Sequence, residues 1–112
     1  MDTTIERIEN ITFITAEYEA IDAGSVADFK RDVEAVIEDN ARVILDLARV
    51  EFVDSAGLGG IVWLLKQLVA KGGDLKVCSI SSSVRALFEL IRMHRLVAIH
   101  NDRDEAERAF RG

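Results

Sequence analysis

The run Val43-Ile44-Leu45-Asp46-Leu47 constrains this chain more than any other stretch. Nearly every side chain in it is apolar, so a strand built from it has no face to give to water and must be covered on both sides. The flanking sequence supplies the helices that such cover requires. Before the run, Val26, Phe29, Val33, Val36 and Ile37 recur at helical spacing, with Ser25 and Asp28 placed as in a capping box and Asn40 as the stop. After it, Leu58, Ile61, Val62, Leu65, Leu68 and Val69 form one stripe of a helix over residues 56–71. Gly72-Gly73 ends that helix, and Lys71 suits its negative dipole end.

The alternation continues to the end of the chain. Residues 75–80 read as a strand, and Ser82 or Ser83 caps a helix that presents Val84, Leu87, Phe88 and Ile91. Residues 97–100 form a short last strand, and Asn101 or Asp102 caps a helix ending near Phe110. At the other end, residues 11–16 are β-branched and aromatic, with residues 5–8 as a hairpin partner across Glu9-Asn10. Strand–helix alternation implies parallel βαβ units with right-handed crossovers. The expected fold is therefore α/β: one domain over residues 1–112, with an N-terminal hairpin and a mixed sheet of four to five strands packed against about four helices.

Composition narrows the function classes. Twenty acids against fourteen bases give a net charge of −6, which works against binding a phosphodiester backbone. Aromatic residues make up only 6%, too few for a base-stacking platform. The longest apolar run, residues 61–65, is far short of the ~20 residues of a membrane span, and Asp2, Glu6, Arg7 and Glu9 interrupt any signal-peptide-like segment. A lone Cys78 excludes an internal disulfide and fits a reducing cytosol. These features point to a cytoplasmic protein without nucleic acid or membrane insertion. Charge is uneven, with 14 acids and 5 bases in residues 1–56 against 6 and 9 in residues 57–112; the simplest reading is scattered solvated charge.

The most unusual stretch is Phe52-Val53-Asp54-Ser55-Ala56-Gly57-Leu58-Gly59-Gly60, at the joint between the central strand and the second helix. Three glycines in the first turns of a helix cost about 1 kcal/mol each relative to alanine. Close approach of another backbone is the usual reason, whether a ligand, a protein partner or a neighbouring strand. A dinucleotide fingerprint fails because Val62 stands where the third glycine belongs. A phosphate-cradling P-loop fails for want of a following Gly-Lys-Ser or Gly-Lys-Thr, and a nucleophile elbow fails because Val53 replaces its first glycine. His94 and His100 are the only histidines that could serve a Ser/His/Asp site, and both read better as surface or satisfied side chains. No His/Cys cluster has metal-ligand spacing, and no cofactor is implied. What remains is Asp54-Ser55 at a helix N-terminus, with Ser55 as an ordinary N-cap or as a hydroxyl offered for modification.

At these residues the sequence resembles the STAS family, and within it the stand-alone bacterial anti-sigma factor antagonists. The resemblance runs from the hairpin through Ile21-Asp22, the central apolar strand and Phe52-Val53-Asp54-Ser55-Ala56-Gly57-Leu58-Gly59 to the strand at residues 75–80. It implies that Ser55 is a phosphoacceptor, that the unphosphorylated protein binds an anti-sigma factor with serine kinase activity and so releases the sigma factor, and that phosphorylation ends that binding. It also implies a phosphatase as a further partner. By the same resemblance Asp22, Asp54, Ser55, Ala56, Gly57, Leu58 and Gly59 form the partner-binding surface, and the protein is not an enzyme. Glu19 stands where the family often has glycine, three residues before Asp22. Two alternatives stay open at this point: a STAS subunit of another signalling or lipid-transport assembly, and a small-molecule or nucleotide-binding α/β domain that uses the turn Gly57-Leu58-Gly59-Gly60.

Overall fold

A two-residue turn at Glu9 and Asn10 closes the N-terminal hairpin, with Glu9 at a positive φ of 56°. The protein is described here by a computed structural model covering residues 3–112. In chain order its elements are β1 (Thr3–Ile8), β2 (Ile11–Ala16), β3 (Ala20–Ile21), α1 (Val26–Val33), β4 (Arg42–Asp46) and β5 (Phe52–Val53). They continue with α2 (Ser55–Ala70), β6 (Asp74–Cys78), α3 (Ser82–Leu90), β7 (Ala98–His100) and α4 (Arg103–Arg111). Among the described residues the four helices accompany a five-stranded mixed sheet of order β1-β2-β4-β6-β7. The β1–β2 pair is antiparallel and every other pair in this sheet is parallel.

β4 lies at the centre, as its apolar run requires. Val43 and Leu45 face the larger core layer with Phe29, Ile61, Leu64, Leu68 and Phe88, contributed by α1, α2 and α3. Ile44 points the other way, into a smaller layer with Ile11, Phe13, Cys78 and Ala106 beneath α4. Both faces of the sheet are therefore covered, and the α/β reading stands.

Several local expectations are corrected. The first helix ends at Val33 and passes into a 3₁₀ turn over Glu34–Val36, so Ile37 lies beyond it. Ser25 makes no capping bond; its hydroxyl donates to the Ala20 carbonyl at 2.8 Å and accepts from the Asp22 N–H at 3.0 Å. The inward stripe of α2 is Gly57, Gly60, Ile61, Leu64 and Leu68, while Val69 is 55% exposed. Residues 57, 60–61, 64 and 68 follow the 3.6-residue period, and the expected stripe had been turned too far toward Val69. Ser81, not Ser82 or Ser83, caps α3 by accepting from Val84. The cap of α4 is as expected, with Asp102 the one of the two candidates that accepts from Glu105.

Candidate functional site

The site is built on two strands of two residues each, too short to leave a periodic signal. β3 pairs in parallel with β5, Ala20 opposite Phe52 and Ile21 opposite Val53. One rung further on, this register sets Asp22 beside Asp54, although 31 residues separate them in sequence. The loop after β3 and the start of α2 are thereby joined.

Asp54 makes that joint. It is the N-cap of α2, and its Oδ1 accepts from the Gly57 N–H at 2.9 Å. Its Oδ2 accepts from the Ala23 N–H at 3.1 Å, across to the loop after β3. The carboxylate thus satisfies one orphan donor of the helix start and ties two segments together. The Gly57 N–H is the main reason that the Asp54 carboxyl lies below the ordinary carboxylate range; partial desolvation opposes it, and the Ala23 N–H adds to it.

Asp22 is turned into its own loop. Its Oδ1 accepts from the N–H groups of Gly24 and Ser25 at 3.0 and 3.1 Å, and its backbone carbonyl accepts from Val26 at 2.8 Å. Its carboxylate therefore shapes the loop facing Asp54. The Glu19 carbonyl accepts from the N–H groups of Glu51 and Phe52 at 2.8 and 3.3 Å, so the residue that departs from the family's glycine secures β5 through its backbone.

Ser55 occupies the first helical position, one residue after the cap. Its side chain is exposed, and its hydroxyl engages in no hydrogen bond. The expectation that Ser55 serves as an ordinary N-cap is corrected, because its neighbour Asp54 does that work. No base touches the hydroxyl, so neither His94 nor His100 forms a Ser–His pair with it; His100 Nδ1 instead lies 3.4 Å from Glu105.

The glycines separate into two kinds. A Cβ on Gly57 would stand 1.8 Å from the Ile21 carbonyl oxygen, and one on Gly60 would stand 2.6 Å from Val26 Cγ2. Both are buried where α2 crosses β3 and α1. The close approach at these two is internal, and Gly57 belongs to the joint beneath the surface. A Cβ on Gly59 would meet nothing within 4 Å, so that glycine faces open solvent on the exposed side of the helix. Ala56 and Leu58 are half-buried, Leu58 against the main core. Just before this turn Phe52 stands 55% exposed, a surface aromatic that the sequence reading did not single out.

The arrangement is ill-suited to a bound nucleotide. The Gly57 N–H, which a phosphate-cradling turn would have to offer, is already taken by the Asp54 carboxylate, and that charge repels a phosphate. Among the described residues no group of three His, Cys, Asp or Glu side chains could hold a metal ion, and no helix is long and apolar enough to cross a membrane. Cys78 lies in the smaller core layer, where burial pushes its thiol up to about 11.

Comparison with known proteins agrees with this fold. A family model described as the STAS domain matches residues 2–106. A protein of Bordetella bronchiseptica named "Putative anti-sigma factor antagonist BtrV" is 27% identical over 112 residues, covering 99% of this chain and 96% of its own. An anti-sigma-factor antagonist (STAS) domain protein from Planctomyces limnophilus superposes with a TM-score of 0.89 at 18% identity, covering 100% of both chains. The unphosphorylated form of the anti-sigma factor antagonist SpoIIAA superposes with a TM-score of 0.76 at 20% identity, covering 98% of this chain and 96% of that one.

Proposed function

From the premise that this chain belongs to the STAS domain family, we propose that it is an anti-sigma factor antagonist. Its unphosphorylated form binds an anti-sigma factor that is also a serine kinase, and phosphorylation of Ser55 ends the association. The observation that carries this reading is the division of labour at the start of α2. Asp54 secures the helix and the neighbouring loop, which leaves Ser55 exposed, unbonded and free to be modified without loss of the fold.

The chemistry follows from that placement. In the kinase complex the Ser55 oxygen attacks the γ-phosphorus of ATP, ADP leaves, and the hydroxyl proton passes to a base of the kinase, since this chain brings none to the hydroxyl. The product carries about −1.5 to −2 charges at the first position of α2. A helix N-terminus tolerates negative charge, so the protein stays folded. The partner surface, however, has been fitted to a small neutral hydroxyl beside the Asp54 carboxylate. It now meets a second, larger negative group that must be desolvated next to the first. Binding is lost through the surface, without refolding. A phosphatase restores the hydroxyl.

In this reading the whole of residues 1–112 acts as a cytoplasmic ligand and kinase substrate, and not as a catalyst. Asp22, Asp54, Ser55, Ala56, Gly57, Leu58 and Gly59 make up the recognition element. Asp22, Asp54 and Gly57 shape it, while Ser55 and Gly59 face the partner. The test is to incubate the protein with its partner kinase and ATP and to map the phosphate by peptide mass spectrometry. Phosphate on Ser55 is expected; phosphate on Ser81, Ser82 or Ser83 instead would overturn the assignment.

A further inference from the structure

The five-stranded sheet has an open edge at β1, and its backbone pattern can be read from the hairpin. In a two-residue hairpin the closing pair, here Ile8 and Ile11, is hydrogen-bonded. Such pairs alternate along an antiparallel ladder, so Thr4, Glu6 and Ile8 turn their N–H and C=O groups toward β2. Thr3, Ile5 and Arg7 turn theirs outward. The Ile5 and Arg7 N–H groups therefore point away from β2, to the side on which the sheet has no further strand among the described residues. Edge strands are commonly blunted by proline, a bulge or extreme shortness. β1 has six residues, no proline and an unbroken register, and its Ile5 and Ile8 are 43% and 40% exposed. Its two charges are engaged across the sheet faces, Arg7 with Glu38 at 2.5 Å and Glu6 with Arg103 at 3.3 Å.

We infer that β1 pairs antiparallel with β1 of a second copy of this chain, centred on Ile5 opposite Ile5, to give a continuous ten-stranded sheet. Charge selects both the occupant and the register. Pairing across a two-fold axis sets like-numbered parity opposite like, because opposed side chains share a face. Centring on Glu6 would oppose two glutamates, and centring on Arg7 would oppose two arginines; like charges so placed are destabilising. Centring on Ile5 sets an apolar β-branched pair at the axis, Thr4 across from Glu6 and Thr3 across from Arg7. It also adds an attraction. Thr3 Oγ1 donates to Asp32 Oδ2 at 3.0 Å, so Asp32 lies on the face and at the position that Arg7 of the second copy reaches, and Arg7, bound to its own Glu38 through Nη2, has further guanidinium donors to give. The symmetry repeats this contact.

A single strand pair is a small interface, so the association is weak and reversible. Sedimentation equilibrium from about 10 µM to about 1 mM should therefore show the mass climbing from one chain toward two. Amide exchange read by NMR over the same range gives the register directly. Ile5 and Arg7 should gain protection with concentration, whereas Glu6 and Ile8 should be protected throughout. Ile5→Pro removes an outward donor without touching the β1–β2 ladder and should hold the protein at one chain with an unchanged circular dichroism spectrum. Should that variant misfold, Ile5→Arg, which opposes two cations at the axis, should give the same loss. A single-chain mass at every concentration would overturn the inference. So would a dimer that survives both substitutions, or one that leaves the Ile5 and Arg7 amides unprotected.

Discussion

Gly57 and Gly59 lie two residues apart in one helix, and alanine at each should move stability in opposite directions. At Gly57 the new Cβ would stand 1.8 Å from the Ile21 carbonyl oxygen and 2.6 Å from its carbon, both backbone atoms. An ordinary carbon–oxygen contact needs about 3.3 Å, so α2 and β3 must separate by about 1.5 Å. That movement strains the bonds that Asp54 makes to Ile21 and Ala23, which depend on the same approach. Overpacking against a backbone that cannot rotate away belongs at the upper end of the usual range, about 3 kcal/mol. At Gly59 nothing lies within 4 Å, so alanine adds helix propensity alone, a gain of about 1 kcal/mol. At roughly 4 °C per kcal/mol, Gly57→Ala should lower Tm by about 12 °C and Gly59→Ala should raise it by about 4 °C. Thermal melts followed by circular dichroism give both shifts, and urea denaturation gives the free energies, with an unchanged m-value certifying the comparison. A neutral Gly57→Ala, or a destabilising Gly59→Ala, would refute the division of these glycines into an inner and an outer kind.

Three further outcomes follow from the same geometry. Ser55→Ala should change stability by no more than about 0.5 kcal/mol in urea denaturation, because Asp54 is the cap; a loss near 1 kcal/mol would return the capping role to the serine. Leu64→Ala should cost about 2–5 kcal/mol, whereas Val69→Ala should fall within about 0.5 kcal/mol of wild type, and equal costs would mean that the inward stripe of α2 has been misplaced. The Asp54 pKa is depressed in the folded state, so its contribution is present above the unfolded value near 3.8 and is lost as pH falls through the folded value. Thermal melts taken from neutral to acid pH should therefore decline less steeply for Asp54→Asn than for wild type, and parallel curves would remove Asp54 from the account.

What the sequence made legible was the long-range periodic part of the fold. The doubly apolar run at β4 demanded cover on both faces, and β2 was bounded correctly at residues 11–16 because β-branched residues continue without a break. The errors fall where a single hydrogen bond decides the matter. Ser25, Ser55 and Ser82 are all credible caps by residue type, and only the backbone path shows that Ser81 and Asp54 accept the bonds. The site was legible as a motif but not as a structure. The pairing of Ala20-Ile21 with Phe52-Val53 joins it, and two-residue strands carry no period. The glycine cluster signalled close approach correctly, but it could not say that two of its members face inward while one faces water.

In the proposed function, charge at Ser55 governs association with the anti-sigma factor. The most direct measurement is the affinity of that partner for the unphosphorylated protein and for protein phosphorylated on Ser55 by the kinase, with circular dichroism of both forms. Tight binding of the hydroxyl form is expected, with a loss of at least about 100-fold on phosphorylation (about 2.7 kcal/mol) and superimposable spectra. Equal affinity for the two forms would contradict it, as would a loss of binding accompanied by a loss of helix.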